Sequence, residues 1–287
     1  MMFETARLST CFAAVSTMLM WSVTLNAAEP VYQGRTLNSW LEDLAYGRYP
    51  DMEKDRLATE AIRAIGADAL PLLIKRFQVP PHLTEEMAEQ MDDYQALSQS
   101  LSALRILGDR ASPAIPALIE RLAPARRATS LSGPLALRLG RRTTFAALAL
   151  SEIGEKSVAP LIAALSAEEV DTRFGAAMAL EYFKKYADRA VPALIKALAD
   201  SDKDVRWRAA RSLGCQRSLP KLSLPALAKL LRGDPEANVR IYAIGAIEKF
   251  GSEAEIALAD LSAATRDTNS VVRDSARTAL AHLQAGE

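Results

Sequence analysis

A cycle of about 33 residues limits the fold of this 287-residue chain more than any other feature. Residues 200–214 read DSDKDVRWRAARSLG. DPEANVRIYAIGAI starts at Asp234, DTNSVVRDSARTAL at Asp267, and a looser copy, EVDTRFGAAMAL, at Glu169. One arginine recurs in each, at Arg173, Arg206, Arg240 and Arg273. A fixed period of this length marks a stack of similar units, each too small to bury its apolar face alone.

Two further markers divide each unit. Proline opens an apolar stretch at Pro71, Pro116, Pro160, Pro192 and Pro225; it suits a helix's first turn, where its missing N–H is no loss. An apolar residue followed by glycine ends the first helix at Ile65-Gly66, Leu107-Gly108, Ile153-Gly154, Leu213-Gly214 and Phe250-Gly251, although the fourth unit has EYFKKYADRAV instead and the last copy, AEIALADLSAA, lacks the proline. Glycine just past a helix end takes the left-handed conformation that closes it. Leu57, Ala61, Ile62 and Ile65 share one helical face, as do Leu97, Leu101 and Leu104. Each unit therefore reads as a helix, a short turn and a second helix. Only 6% of the residues are aromatic, while Ala and Leu abound, which favours packed helices over sheets.

The ankyrin T-P-L-H signature and the tetratricopeptide Trp/Gly/Tyr pattern are both absent. The combination DxxxxVRxxAAxxLG followed by xxPALxxLL resembles the HEAT repeat, in the short form also found in phycobilisome-lyase-like proteins. The resemblance covers roughly residues 55–283. It implies an all-α, right-handed α-solenoid of about six short helical hairpins plus a terminal half repeat. It also implies a structural role for Arg173, Arg206, Arg240 and Arg273: each reaches an acidic residue of the adjoining turn and ties one repeat to the next. The candidate acids are Asp171, Asp202, Asp204 and Asp267. The curved inner face is expected on the second helices, with Lys196 and Lys229 among its few charges.

Residues 1–28 read as a signal peptide: Arg7 precedes LSTCFAAVSTMLMWSVTLNAA, which is uncharged and ends in small residues, with cleavage near Ala27 or Ala28. An uncleaved anchor or a start site placed too early are the alternatives. After cleavage Cys215 is the one cysteine left, so packing rather than an internal disulfide holds the chain. Residues 29–52 form an N-terminal capping segment. Asn38 or Ser39 is expected to cap a short helix, Ser39 and Glu42 fit a capping box, and Trp40 plugs the first unit. This segment resembles a Tyr-x-Gly-Lys/Arg-x-Leu-x-x-Trp-Leu stretch that precedes the repeats in exported bacterial proteins. The solenoid follows over 53–287.

The period is interrupted twice, and insertions in a repeat array map to loops on one face. Residues 79–95, VPPHLTEEMAEQMDDYQ, carry five acids and no Lys or Arg; residues 121–142, RLAPARRATSLSGPLALRLGRR, carry six arginines and no acid. Both are expected on one edge, flanking the second unit. A helix over Thr84 to Leu107 fits the first. Either the two neutralise each other, or Arg126, Arg127, Arg138, Arg141 and Arg142 dock an acidic partner, since guanidinium groups suit bidentate carboxylate contacts.

Lys+Arg and Asp+Glu are equal at 35 each, which speaks against nucleic acid or anionic lipid. No Gly-rich phosphate loop, G-x-S-x-G elbow or H-E-x-x-H helix is present. His82 and His282, with Cys215, do not make a zinc site by any common spacing. No catalytic residue, cofactor or metal is expected. The reading is a monomeric, non-catalytic protein–protein scaffold of the periplasm or cell envelope, not inserted in a membrane once its signal is cleaved. A lyase-like or maturation factor that grips a client protein, and a purely structural spacer, are the alternatives.

Overall fold

The structure is a computed structural model and describes residues 28–44, 51–80, 82–90 and 93–285. The expected signal peptide, Ala28 excepted, lies outside the described residues. The chain opens with an antiparallel hairpin of β1 (Val31–Tyr32) and β2 (Arg35–Thr36), then α1 (Leu37–Glu42). Thr36, one turn earlier than expected, caps α1 by accepting from the backbone N–H of Ser39 at 3.3 Å. Trp40 is 4% exposed and donates Nε1–H to the carbonyl of Tyr32 at 3.1 Å. Arg35 lies 3.8 Å over its ring.

Helical pairs follow. The first unit is α2 (Met52–Ile65) and α3 (Leu70–Arg76). A short α4 (Glu85–Gln90) precedes the second unit, α5 (Tyr94–Leu107) and α6 (Ile115–Glu120). Another short helix, α7 (Pro124–Ser130), precedes the third, α8 (Gly133–Ile153) and α9 (Val158–Ala164). The fourth is α10 (Val170–Leu180) and α11 (Ala187–Ala197), the fifth α12 (Lys203–Gln216) and α13 (Pro220–Gly233), the sixth α14 (Ala237–Glu248) and α15 (Leu258–Ala264). α16 (Ser270–Ala285) is the half unit. The architecture is an all-α solenoid. Among the described residues no helix is long and apolar enough to cross a membrane.

The repeated motif explains the stacking. The residue three positions after each repeated arginine is Ala176, Ala209, Ala243 or Ala276, each 0% exposed. Val205, Val239 and Val272, just before the last three arginines, are equally buried. Both positions lie on the helix face that meets a neighbouring first helix, so small side chains let the first helices pack closely. One apolar core runs from Leu37 to Ala279.

The glycines serve two different purposes. Gly66, Gly108, Gly154 and Gly251 follow the first helices with φ between +52° and +85°, a conformation that costs glycine little. Gly214 has the same sequence context, yet it lies inside α12, which ends instead at Arg217 with φ +47°. A Cβ at Gly214 would sit 2.6 Å from the Cα of Ala246, so this glycine is set by helix–helix approach. The prolines divide similarly. Pro71 and Pro116 stand in the first turn of their helices, whereas Pro192 and Pro225 lie inside helices that begin earlier, at Ala187 and Pro220.

The insertions are helical rather than loops. The second half of the basic one is the N-terminal extension of α8, which makes that helix 21 residues long. The acidic one is not continuous with α5: α4 ends at Gln90, and Asp93 stands in neither helix. The two insertions pack on each other through a small cluster of Ala88, Leu135 and Leu139.

Candidate binding groove

The repeated arginines form a ladder. Arg173 holds Asp200 with Nε and Nη2 at 2.7 and 3.0 Å; Arg206 holds Asp234 at 2.6 and 3.1 Å; Arg240 holds Asp267 at 2.8 and 2.8 Å. Nη1 meanwhile bonds two carbonyls of the preceding turn, Asp200 and Ser201 in the case of Arg206. Each aspartate also accepts a backbone N–H two residues on, at Asp202, Glu236 or Asn269. Of the four acids expected as partners, Asp267 alone serves a repeated arginine. Arg273 repeats the carbonyl contacts, to Asp267 and Thr268, but among the described residues it has no carboxylate.

Asp171, Asp202 and Asp204 have another occupant. Arg126, on α7, reaches them at 3.4, 3.5 and 3.0 Å. That arginine ties the insertion to the starts of α10 and α12.

The five insertion arginines thus do not form one surface. Arg138, Arg141 and Arg142 converge on Asp93, at 3.1, 3.4 and 2.8 Å. Arg138 also donates to the carbonyl of Ala88 at 2.8 Å, and Arg142, 6% exposed, donates to the carbonyls of Arg76 and Gln78. Glu85 accepts the N–H of Leu135 at 2.9 Å. These three arginines bind the acidic insertion. Arg127 is exposed.

A groove of about 870 Å³ opens between α7 and the first helices α12 and α14. Arg126, Arg127, Thr129 and Ser130 form one wall. Trp207 and Tyr242 stack, with centroids 4.5 Å apart and planes 19° apart, and Phe174 supports Trp207 edge-on at 5.3 Å. Trp207 Nε1–H is given to Asp204 at 3.2 Å, which fixes the indole. A flat aromatic surface beside polar side chains is the composition of peptide-binding surfaces. The second helices carry a smaller groove, about 520 Å³, which includes Lys229 but not Lys196.

Among the described residues no group of three or more His, Cys, Asp or Glu is placed to hold a metal ion. Half-buried Cys215 receives a hydrogen bond from Lys249 Nζ at 3.0 Å, and His282 Nδ1 lies 2.6 Å from Glu248.

The model of the family described as HEAT repeats matches residues 141–214 and 191–281. The units over residues 141–281 are HEAT repeats. No curated protein sequence matches the chain. Among solved structures the HEAT array is similar to Kap121p, with a TM-score of 0.54 and 15% identity, covering 87% of this chain and 29% of that one. The chain therefore spans under a third of Kap121p, and the likeness is one of fold. Two others are the CpcE–CpcF complex of phycocyanin lyase from Nostoc sp. PCC7120 (TM-score 0.45, 23% identity, 58% of this chain and 98% of that one) and a designed armadillo repeat protein (0.39, 19%, 75% and 99%).

Sequence reasoning missed the aromatic pair of the HEAT array. Trp207 directly follows a repeated arginine, but Tyr242 stands two positions after the next one, so the two do not align in the repeat. The available signal was the rarity of aromatics in the chain.

Proposed function

We propose that this HEAT array is a non-catalytic scaffold of the periplasm or cell envelope, and that it holds an extended segment of a partner protein in the groove between α7, α12 and α14. The stacked Trp207–Tyr242 pair, walled by an inserted helix, carries this reading. Repeat arrays mostly supply surfaces rather than chemistry, and a groove that crosses successive repeats suits an extended chain. The uncharged, small-residue-ended stretch before Glu29 supports the exported setting.

Affinity capture from an envelope extract tests it, with the tagged chain as bait beside two variants. Trp207→Ala/Tyr242→Ala removes the aromatic floor, and Ser130→Trp fills the groove from its exposed wall. A protein retained by the wild type and lost by both variants, with thermal melts unchanged for Ser130→Trp, is the expected result. Equal capture by all three baits refutes the groove as the partner site.

A further inference from the structure

The groove's charge is one-sided once its internal pairs are set aside. Arg126 is taken up by Asp171, Asp202 and Asp204. Arg208, 8% exposed, gives Nη2 to Glu181 at 2.6 Å, and its Nε has no acceptor among the described residues. Arg127, Lys203 and Arg211 line the same space, are exposed, and have no carboxylate within ion-pair distance among the described residues. Glu236 is the one acidic lining residue in the same condition. Unpaired cations therefore outnumber unpaired anions.

Two of the cations lining the groove also disturb each other. Arg208 and Arg211 are one turn apart on α12. Burial pushes the Arg208 guanidinium below its usual range, Glu181 opposes this, and the like charge of Arg211 adds to the fall. A carboxylate entering beside Arg211 would relieve that repulsion while meeting a fork of donors. Between Lys203 and Arg211 stands Trp207, on the same face of α12 at helical spacing. An occupant that satisfies both cations must cross the aromatic pair.

We propose that the groove selects an extended acidic segment of the partner, with carboxylates against Lys203 and Arg211 and the intervening chain lying on Trp207 and Tyr242. This deepens the groove reading and rests on it. Of the five insertion arginines, Arg127 is the one that contributes a charge with no ion-pair partner among the described residues.

The test is fluorescence anisotropy with two labelled peptides, one rich in Glu and Phe, the other with Lys in place of every Glu. The Glu peptide should bind the wild type and weaken as salt is raised. Lys203→Glu/Arg211→Glu, changed at two exposed positions, should bind it at least about tenfold more weakly while melting at the same temperature. Preference for the Lys peptide, binding of neither peptide, or no effect of the double variant overturns the assignment. Partner capture separates the two levels. A partner lost with Ser130→Trp but kept by Lys203→Glu/Arg211→Glu leaves the groove and removes its acidic preference. A partner kept by both variants removes the groove itself.

Discussion

Arg206 and Asp234 hold each other across the boundary between the fifth and sixth units through two hydrogen bonds, with 12% and 2% of their side chains exposed. The pair closes a circuit. The arginine satisfies the carbonyls that end one turn, and the aspartate satisfies an N–H that starts the next. Arg206→Ala leaves the Asp234 charge buried, and removing one partner of such a pair costs about 3 kcal/mol or more. Arg273→Ala, at the same position but with no carboxylate among the described residues, should cost well under half of that. Urea unfolding followed by circular dichroism compares the two.

The ladder also sets an acid limit. The Arg240 hydrogen bond, against the opposing effect of burial, holds Asp267 below the usual carboxylate range. At Asp200, burial pushes upward, but Arg173 and the backbone N–H of Asp202 outweigh it. A carboxylate depressed in the folded state stabilises above its unfolded pKa, about 4, and loses that contribution as pH falls through the folded value. Melting temperature should hold from pH 7 to about 5 and fall below about 4. Asp267→Asn should lower it at pH 7 and flatten the acid decline.

Gly214→Val should destabilise the array by about 2 kcal/mol, because the new side chain meets the α14 backbone at Ala246. Gly66→Ala has open space around its Cβ and should cost about 1 kcal/mol, through its φ of +64° alone. Thermal melts at one pH rank them.

The node around Asp93 predicts a local effect. Asp93→Ala removes the shared anion of Arg138, Arg141 and Arg142. The packing of α4 on α8 should loosen, and limited proteolysis should cut first within residues 79–95. Arg127→Glu, at an exposed residue of the basic insertion, should leave both melt and digestion pattern unchanged.

Export is tested by the location and mass of the full-length chain. Expressed with its full N-terminus and fractionated, the protein should appear in the envelope or periplasmic fraction with a mass that starts at Ala28 or Glu29. A cytoplasmic protein of full mass refutes the exported setting.

The helical hairpins, their number and their order were legible from sequence, because each rests on local physics: apolar spacing, a glycine at a helix end, and a period that makes units interchangeable. The resemblance to the HEAT repeat also implied a carboxylate opposite each repeated arginine, which Arg173, Arg206 and Arg240 have and Arg273, among the described residues, does not. The identity of that carboxylate was not legible. Asp200 and the candidates Asp202 and Asp204 are near neighbours, and which carboxylate faces the guanidinium depends on the curl of the turn. Tertiary packing alone decided that Gly214 is a contact rather than a cap. It also decided that three insertion arginines turn inward to Asp93 while Arg126 crosses to α10 and α12. The groove belongs with these. Trp207 and Tyr242 stack because α12 and α14 approach closely enough for their side chains to meet, and contacts between repeats follow from geometry that no single repeat contains.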